Sequence, residues 1–379
     1  MRIYLDNNAT TAIHPDVLRA LESSLRDVFG NASSIHREGQ SARRVLENAR
    51  ESVARLINAT TRELVFNSGG SESNNAAIFG AVPRDERFHI VTSALEHPSV
   101  AEAVRELERR GADVTWVSPS RSGALDANAV IDAMRDDTKL VAVMMASNET
   151  GVIQPVAEIG RVTRSRGVHF HVDGVQAAGK IPVDVAAIDC DTLAMSAHKL
   201  HAPKGIGALY VRRGTNMHAH LYGGAQERRR RAGTENVPLA AAFGVAAALP
   251  SAAAQIAELR DAFEIELRAS MNITINGAEV LRIPNTSNIT FHNADGEGIV
   301  IGLDLQGIAT STGSACSSGR IEPSPVLLAM GLTPSEAKST VRFSLSRFTT
   351  QDEIARTVLV LRELVPRATP ANRQPPTAN

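Results

Sequence analysis

The sequence predicts an α/β protein: a mostly parallel seven-stranded sheet with helices on both faces, joined to a smaller α+β region. Three observations support this fold class. Short, nearly continuous apolar runs alternate with helical patterns through the first half of the 379 residues, as in parallel sheets buried on both faces. The composition changes after Pro238, where new strand and helix patterns begin. Hydrophobic residues make up 43% of the chain, enough for sizeable cores.

The first region opens with two helices, which the spacing of apolar residues places at 15–28 and 38–57. Seven strand-like runs follow, at 63–67, 89–94, 114–118, 140–146, 169–173, 192–196 and 207–212. Most of them are separated by helical patterns, at 72–80, 98–110, 126–135 and 155–166. Because ligands of such sheets gather at the carboxyl ends of the strands, polar residues at these ends are the first candidates for a site.

The second region begins with an alanine-rich stretch, 239–268, which predicts a long helix broken near Pro250. After it come a strand at 286–291, a helix at 296–305, a glycine- and serine-rich loop at 311–319, a strand at 340–346 and a helix at 351–364. We expect a large domain over 14–250 and a small domain built from 1–13 and 251–365. Four prolines in the last fourteen residues predict a disordered tail, 366–379.

The charge balance and the cysteine count exclude several classes of protein. Forty Lys and Arg residues against 41 Asp and Glu give a net charge of −1, which argues against a nucleic acid or an acidic membrane as partner. The chain has neither a signal-peptide pattern nor an apolar run near the ~20 residues that span a bilayer. Two cysteines form neither a disulfide framework nor a paired CxxC metal site, so we expect a cytoplasmic protein without an intrinsic metal.

The segment 67–75, NSGGSESNN, is a candidate anion site between a strand and a helix. Gly69 and Gly70 let the backbone approach a ligand, and Ser71 can cap the helix whose amides would face a phosphate. An ordinary strand–turn–helix connection explains the same residues, and this segment taken alone favours that interpretation.

A second glycine-rich segment, GVQAAGKI at 174–181, matches the beginning of a P-loop. Ile181 stands where the motif needs a hydroxyl for Mg²⁺, and Pro182 breaks the helix that should hold the phosphate. We therefore reject a nucleotide site here.

Three polar residues follow predicted strands of one sheet. Lys199 ends the run LAMSAHK, where an amine is costly unless paired or neutral, and a Schiff-base lysine must be neutral to react. Asp173 closes HFHVD and suits either a helix cap or the partner of a protonated pyridine nitrogen. A lone histidine such as His97, in ALEHPS, is more often structural. The convergence of all three with segment 67–75 favours a site, whereas Lys204 is expected at the surface.

The two cysteines lie in different surroundings. Cys316, in the loop STGSACSSG, has no packing role there and is the candidate nucleophile. Cys190 borders a strand in AAIDCDTLAM and is expected to be buried. The run Arg228–Arg231 indicates phosphate or interface contacts more than nucleic acid, given the net charge.

Many motifs occur in an order that defines a family. They run from YLDNNATT at 4–11 to VRFSLSRFTT at 341–350, with FGNASSIH, SGGSESNN, LEHPSV, SNETGVIQP, HVDGVQAAGK, SAHKLHAPKGIGALY, GTENVP and STGSACSSG between them. In these motifs the chain resembles the cysteine desulfurases of the NifS/IscS group, pyridoxal-phosphate enzymes with the aspartate-aminotransferase fold. Gly70 and Ser71 replace a usual Ala-Thr pair, and Ser71 keeps the hydroxyl. Gly174 stands where a larger residue usually follows Asp173.

The resemblance implies how the cofactor, pyridoxal 5′-phosphate, is held. Lys199 would bind it covalently, and His97 would stack on its ring and help with proton transfers. Asp173 would pair with its pyridine nitrogen, and Gln176 would hydrogen-bond its ring oxygen. The residues implied around the phosphate are Gly70, Ser71, Ser196 and His198, with Thr234 reaching in from a second subunit.

The resemblance also implies the substrate and the partners. Asn148 and Arg342 would hold the carboxylate of L-cysteine, which a fork-shaped guanidinium suits. Cys316 would take the sulfur as a persulfide and leave alanine. The partners implied are a second copy of the chain and a sulfur acceptor, for example an iron–sulfur scaffold protein with which Cys316 transiently shares a cluster.

Two alternatives differ in the residues they need. Another pyridoxal enzyme on this fold could be a selenocysteine lyase, a cysteine-sulfinate desulfinase or a transaminase, but a transaminase has no use for the thiol of Cys316. A sulfur-relay adaptor without enzymatic activity would keep Cys316, yet it would not need Lys199, His97 and Asp173 together.

Overall fold

The computed structural model describes residues 2–83, 86–312 and 322–368. Its strands are β1 (Ile3–Tyr4), β2 (Leu64–Asn67), β3 (His89–Ser93), β4 (Asp113–Val117), β5 (Thr138–Met144), β6 (His169–Asp173), β7 (Thr192–Ser196), β8 (Gly207–Val211), β9 (Ile273–Ile275), β10 (Thr286–Phe291), β11 (Ile308–Ala309) and β12 (Thr340–Ser344). Its α-helices are α1 (Pro15–Asp27), α2 (Arg37–Leu56), α3 (Gly70–Ala81), α4 (Pro98–Arg109), α5 (Ala127–Asp132), α6 (Val156–Arg166), α7 (Val185–Ile188), α8 (Val237–Ala247), α9 (Ala253–Ser270), α10 (Gly296–Leu305), α11 (Pro325–Ala329), α12 (Pro334–Lys338) and α13 (Gln351–Leu364).

A seven-stranded sheet forms the centre of the larger part, in the order β2–β8–β7–β6–β5–β3–β4. Within this sheet β8 alone runs against its neighbours, so the other six strands end at one edge. The register places Met144 of β5 beside Asp173 of β6, and Asp173 beside Ala194 of β7. The predicted fold class is confirmed, and each predicted strand run of the first region lies in this sheet.

The strands are buried because helices cover both faces, which is why their sequences are almost continuously apolar. Helix α6 passes close to the end of helix α7, and this approach requires a glycine in α6. A Cβ on Gly160 of α6 would meet the carbonyl oxygen of Ile188 at 1.9 Å, so α6 could not pass so close to the end of α7 with a larger residue.

The smaller part is built on a three-stranded antiparallel sheet in the order β12–β10–β9. Phe263 of α9 and Phe343 of β12 meet edge to face in its core, with ring centroids 5.1 Å apart. Ile3 and Leu5 of the N-terminal segment are buried in the same core. The predicted break near Pro250 is confirmed, since α8 ends at Ala247 and α9 begins at Ala253.

Helices α11 and α12 depart from the simplest two-part division. Val326 and Leu327 of α11 and Ala337 of α12 are buried in the core of the larger part, not in the core around Phe343. The proposed domain limits therefore stay a prediction. Of the predicted tail, 366–379, the residues from 369 onward lie outside the described part of the chain.

The N-terminal segment after β1 runs along the junction of the two parts. The backbone N–H of Asn7 donates to the carbonyl of Ser344 in β12 (3.2 Å), and the N–H of Thr11 donates to the carbonyl of His198 (3.1 Å). One segment therefore holds the smaller sheet against the carboxyl edge of the larger one. Among the described helices, none is long and apolar enough to cross a membrane.

Candidate active site

A cavity of about 330 Å³ opens between the carboxyl edge of the seven-stranded sheet and the N-terminal segment. Most of the site residues predicted from the sequence line it together: Gly70, Ser71, His97, Asn148, Asp173, Gln176, Ser196, His198, Lys199 and Arg342. Thr234 is exposed and lines a neighbouring cavity of about 220 Å³ instead. Cys316 lies outside the described residues.

Lys199 follows β7 directly, at the end of a 3₁₀ turn, Ala197–Lys199. Its Nζ donates to the backbone carbonyls of Asn8 (2.5 Å) and Ala9 (2.8 Å). The lysine is half-buried, and carbonyl oxygens from the N-terminal segment orient its amine at the cavity wall. Lys204 is exposed, as predicted.

Asp173 is 5% exposed at the end of β6. Its Oδ1 accepts the backbone N–H of Val175 (3.0 Å), and its Oδ2 accepts Nδ2 of Asn74 (2.8 Å). The Oδ1 of Asn74 lies 3.0 Å from Nε2 of His171, whose pKa burial lowers to about 3. Neutral His171 donates there, which fixes the Asn74 amide with its nitrogen toward Asp173. The carboxylate is thus held in place to face a cation.

His97 is the N-cap of α4, and its Nδ1 accepts the backbone N–H of Ser99 (3.1 Å). The Oγ of Ser99 also lies 2.8 Å from this Nδ1. The same Oγ accepts a hydrogen bond from Nδ2 of Asn74 (2.8 Å). Burial lowers the pKa of His97, against the opposing effect of Asp173. The imidazole is therefore neutral near pH 7, and since Nδ1 is an acceptor, its proton is on Nε2.

The glycine-rich segment leads from β2 into α3, which begins at Gly70. The N-cap is Gly69, at φ 154°, without a side-chain cap, so the expected capping by Ser71 is wrong. A Cβ on Gly70 would lie 2.8 Å from Cγ2 of Val175 and 3.4 Å from Cβ of Ser196. Glycine here keeps the first amides of the helix open beside Ser196, an arrangement that suits an anion.

The smaller part contributes Arg342 of β12 to the cavity wall, and this residue is 3% exposed. Its Nη1 donates to the carbonyl of Asn148 (2.9 Å), and its Nη2 to Oδ1 of Asp6 (2.8 Å). Its Nε is buried and has no hydrogen-bond partner among the described residues. A guanidinium with a buried, unpaired N–H indicates a place for an additional acceptor.

The sequence reasoning missed the amides that hold these groups in place. Asn8 is 1% exposed, and its Oδ1 accepts Nδ2 of Asn285 (2.9 Å) while its own Nδ2 donates to Thr286 (2.8 Å) and to the carbonyl of Asn148 (3.1 Å). Asn8 lies in the motif YLDNNATT, and Asn74 lies in the motif SGGSESNN. A search for titratable and nucleophilic side chains passes over them, because amides orient other groups without ionising.

These elements match a known family. The aminotransferase class-V family model matches residues 3–357, so the chain belongs to that family. The chain is 46% identical over 372 residues to a cysteine desulfurase of Nostoc sp., covering 96% of this chain and 93% of that one. It is 41% identical to the cysteine desulfurase IscS of Dictyoglomus turgidum, covering 96% and 94%. A solved NifS-like protein superposes with a TM-score of 0.90 at 31% identity, covering 97% of this chain and 100% of that chain.

The family and these relatives make the chain an enzyme that depends on pyridoxal phosphate, which confirms the cofactor predicted from the sequence. The described cavity fits such a group on three counts. It has open helix amides beside Gly70, a buried carboxylate at Asp173 and a lysine amine at its wall.

Proposed function

We propose that the protein removes sulfur from L-cysteine with pyridoxal phosphate, releases L-alanine and keeps the sulfur as a persulfide on Cys316 for an acceptor. The observation that carries this proposal is the convergence of Lys199, Asp173, His97 and Arg342 on one cavity. Two relatives whose alignments cover 96% of this chain are named cysteine desulfurases.

Each wall of the cavity is suited to one part of the cofactor. The amides at the start of α3, with Ser71, Ser196 and His198, would hold its phosphate. Asp173 would keep a proton on its ring nitrogen, and Gln176 would donate to its ring oxygen. When bound, the ring supplies an electron sink for the pair released at the Cα of the substrate.

The other residues act on the substrate. The Nε of Arg342, with Asn148, would bind the carboxylate and fix the orientation of Cα. Lys199 would carry the Cα proton to and from the substrate, since its amine is held at the cavity wall. Neutral His97, with its proton on Nε2, would donate toward the cavity.

Sulfur transfer requires a thiol outside this cluster. The thiolate of Cys316 would form an S–S bond to the substrate sulfur while the Cβ–S bond breaks, and Cβ would take up a proton to give alanine. Cys190 cannot do this, because it is fully buried and burial raises the pKa of its thiol to about 12. The predicted burial of Cys190 is confirmed.

The test is transfer of labelled sulfur from cysteine to the protein, with alanine release measured in parallel. Wild type and Cys190→Ser should both carry label, and Cys316→Ser should carry none while it still binds the cofactor. Cys190→Ser is the matched control, because it removes the other thiol of the chain. Label on Cys316→Ser that is absent from Cys190→Ser would refute the assignment of the nucleophile.

A homodimer is part of the proposal. Phe29 and Ile35 are 81% and 90% exposed, which for large apolar side chains favours an interface. Thr234 is exposed and away from the cavity of its own chain, as a residue that serves a second copy would be. Sedimentation should give a dimer, and a fully active monomer would contradict it. An iron–sulfur scaffold as acceptor and a cytoplasmic location stay predictions from the sequence.

A further inference from the structure

The P-loop-like segment 174–181 has a lysine that the proposed chemistry does not use. Lys180 does not line the cavity that holds Lys199 and Asp173. It lines a second cavity, of about 390 Å³, which Lys199 also lines. Lys180 therefore reaches the cavity of Asp173 by hydrogen bonds only through a neighbouring side chain.

The amine of Lys180 has two partners. Its Nζ donates to Oε1 of Gln176 (2.5 Å) and to Oδ1 of Asn8 (3.1 Å). Asn8 cannot turn its amide, because its Nδ2 donates to the carbonyl of Asn148 (3.1 Å) and to Thr286 (2.8 Å). The acceptors around Lys180 are thus set by the surrounding fold.

The Gln176 amide is clamped at both ends. Its Oε1 accepts from Lys180, and its Nε2 donates to the backbone carbonyl of Asn8 (3.0 Å). An amide nitrogen has two N–H groups, and the described residues show one acceptor for this one. The second N–H is left for the cavity, which Gln176 lines.

We propose that Lys180 is a positioning residue that holds Gln176 by its oxygen, so that the amide nitrogen and not the oxygen faces the cofactor. This inference rests on the proposed function, in which Gln176 donates to the ring oxygen. Without Lys180 the amide keeps one contact, the carbonyl of Asn8, and an unpaired buried Oε1. The amide of Gln176 can then rotate, and the ring oxygen loses its hydrogen-bond donor.

The charged groups around Lys180 come from several elements. Burial lowers the pKa of Lys180 well below its usual range, and the charges of Lys199 and Arg342 lower it further. Arg342 is paired with Asp6. The imidazoles of His198 and His201 lie further out, and each has its pKa lowered to about 4, chiefly by burial. In either protonation state the amine of Lys180 keeps N–H groups, which donate to both oxygen partners.

The direction of the expected shift in the absorbance titration follows from the hydrogen bond that Gln176 donates to the ring oxygen. A hydrogen bond to the ring oxygen stabilises the form of the bound cofactor that has lost a proton, so it lowers the pH at which the absorbance of the cofactor changes. Lys180→Met keeps the length of the side chain and removes its donor. In the holoenzyme this variant should raise the midpoint of the absorbance titration by about one pH unit.

Three comparisons separate positioning from a structural role. Lys139→Met changes an exposed lysine of β5 and should leave the midpoint unchanged. In a Gln176→Met background, Lys180→Met should shift the midpoint by much less than in wild type, because the residue through which it acts is gone. Lys180→Gln, which keeps an N–H donor, should shift it less than Lys180→Met and serves also if the methionine variant folds poorly.

An unchanged midpoint in Lys180→Met, or equal shifts with and without Gln176, would overturn the inference. The titration uses no cysteine, so its result is independent of whether the enzyme transfers sulfur. Thermal unfolding of each variant, measured beside the titration, shows whether a shift accompanies a general loss of stability.

Discussion

The two walls of the cavity are built in different ways. At the strand ends, key contacts join near neighbours: Asp173 accepts the N–H of Val175, and His97 accepts the N–H of Ser99. Along the junction with the smaller part, the contacts join distant segments. Arg342 pairs with Asp6, which is 336 residues away, and Asn8 donates to Asn148, 140 residues away.

This difference indicates which parts of the site depend on the whole fold. At the strand ends, neighbouring turns and helix caps orient Asp173 and His97, with Asn74 of α3 as a further donor to Asp173. Lys199, in contrast, also needs the carbonyls of Asn8 and Ala9 in the N-terminal segment. The junction groups acquire their partners only when the N-terminal segment, β10 and β12 come together. Except at Lys199, which contacts the N-terminal segment, substitutions at the strand ends should therefore change chemistry with limited effect on stability, and substitutions at the junction should change both.

The largest effect is expected at a strand end, for Lys199→Ala. Loss of the amine removes cofactor attachment and the group that moves the Cα proton, so alanine formation should fall by at least about 10²–10⁴-fold. The unfolding temperature should fall modestly, because the contacts to the carbonyls of Asn8 and Ala9 are lost too. Lys204→Ala, at an exposed lysine nearby, is the control and should keep its activity. Alanine formation at the wild-type rate by Lys199→Ala would remove this lysine from the mechanism.

The next effect is expected at the junction, for Arg342→Lys. A lysine cannot keep the contacts to Asp6 and Asn148 and still offer a donor to a carboxylate. The apparent affinity for cysteine should fall about 10- to 100-fold, since hydrogen bonds to charged groups contribute ~1.5–3 kcal/mol, and stability should fall as well. Arg55→Lys, in an exposed pair with Glu51, should change stability by less than ~0.5 kcal/mol. Steady-state kinetics and denaturant unfolding measure both, and an unaltered KM would contradict the carboxylate contact.

Two buried asparagines test the comparison directly. Asn8→Ala removes the side-chain hydrogen bonds of Asn8 at the junction and should cost about 2–4 kcal/mol of unfolding free energy. It should also speed hydrogen exchange in β10 and β12 relative to β5–β7. Asn74→Ala, in α3 beside the strand-end residue Asp173, should leave exchange in β10 and β12 unaltered. Equal exchange profiles for the two variants would mean that the walls are not independent.

A pH-dependent effect is expected for a buried carboxyl at the strand ends. The Oε1 of Glu96 accepts from Ser93 (2.5 Å) and from the N–H of Met144 (3.0 Å), and burial raises the pKa of this carboxyl to about 8. The folded protein holds this proton up to about pH 8, whereas the unfolded chain releases it above about pH 4.5. The stability of wild type should therefore fall as pH rises between these values, by up to ~1.4 kcal/mol per unit.

Glu96→Gln mimics the protonated group and should flatten this part of the curve. Glu51→Gln, at an exposed position, should leave the slope as in wild type. Unfolding free energies measured from pH 5 to pH 8 decide the matter, and parallel curves for wild type and Glu96→Gln would show that Glu96 ionises normally in the folded protein.

The sequence by itself determined the seven-stranded sheet, the break near Pro250 and the burial of Cys190. It also brought Lys199, Asp173 and His97 together, because each follows a strand of one sheet and the carboxyl ends of parallel strands share an edge. These inferences need only local periodicity and a general rule of topology. The match of ordered motifs to a family then named the cofactor.

Only the tertiary structure decided the rest. It made Gly69 and not Ser71 the cap of α3, placed α11 and α12 on the larger core, and put Lys180 behind Gln176. It also joined Asn8 to both parts of the molecule. Amide and guanidinium groups find their partners wherever the packed chain brings acceptors, across hundreds of residues. Local sequence patterns do not specify such distances, so these contacts appear only once both cores are packed together.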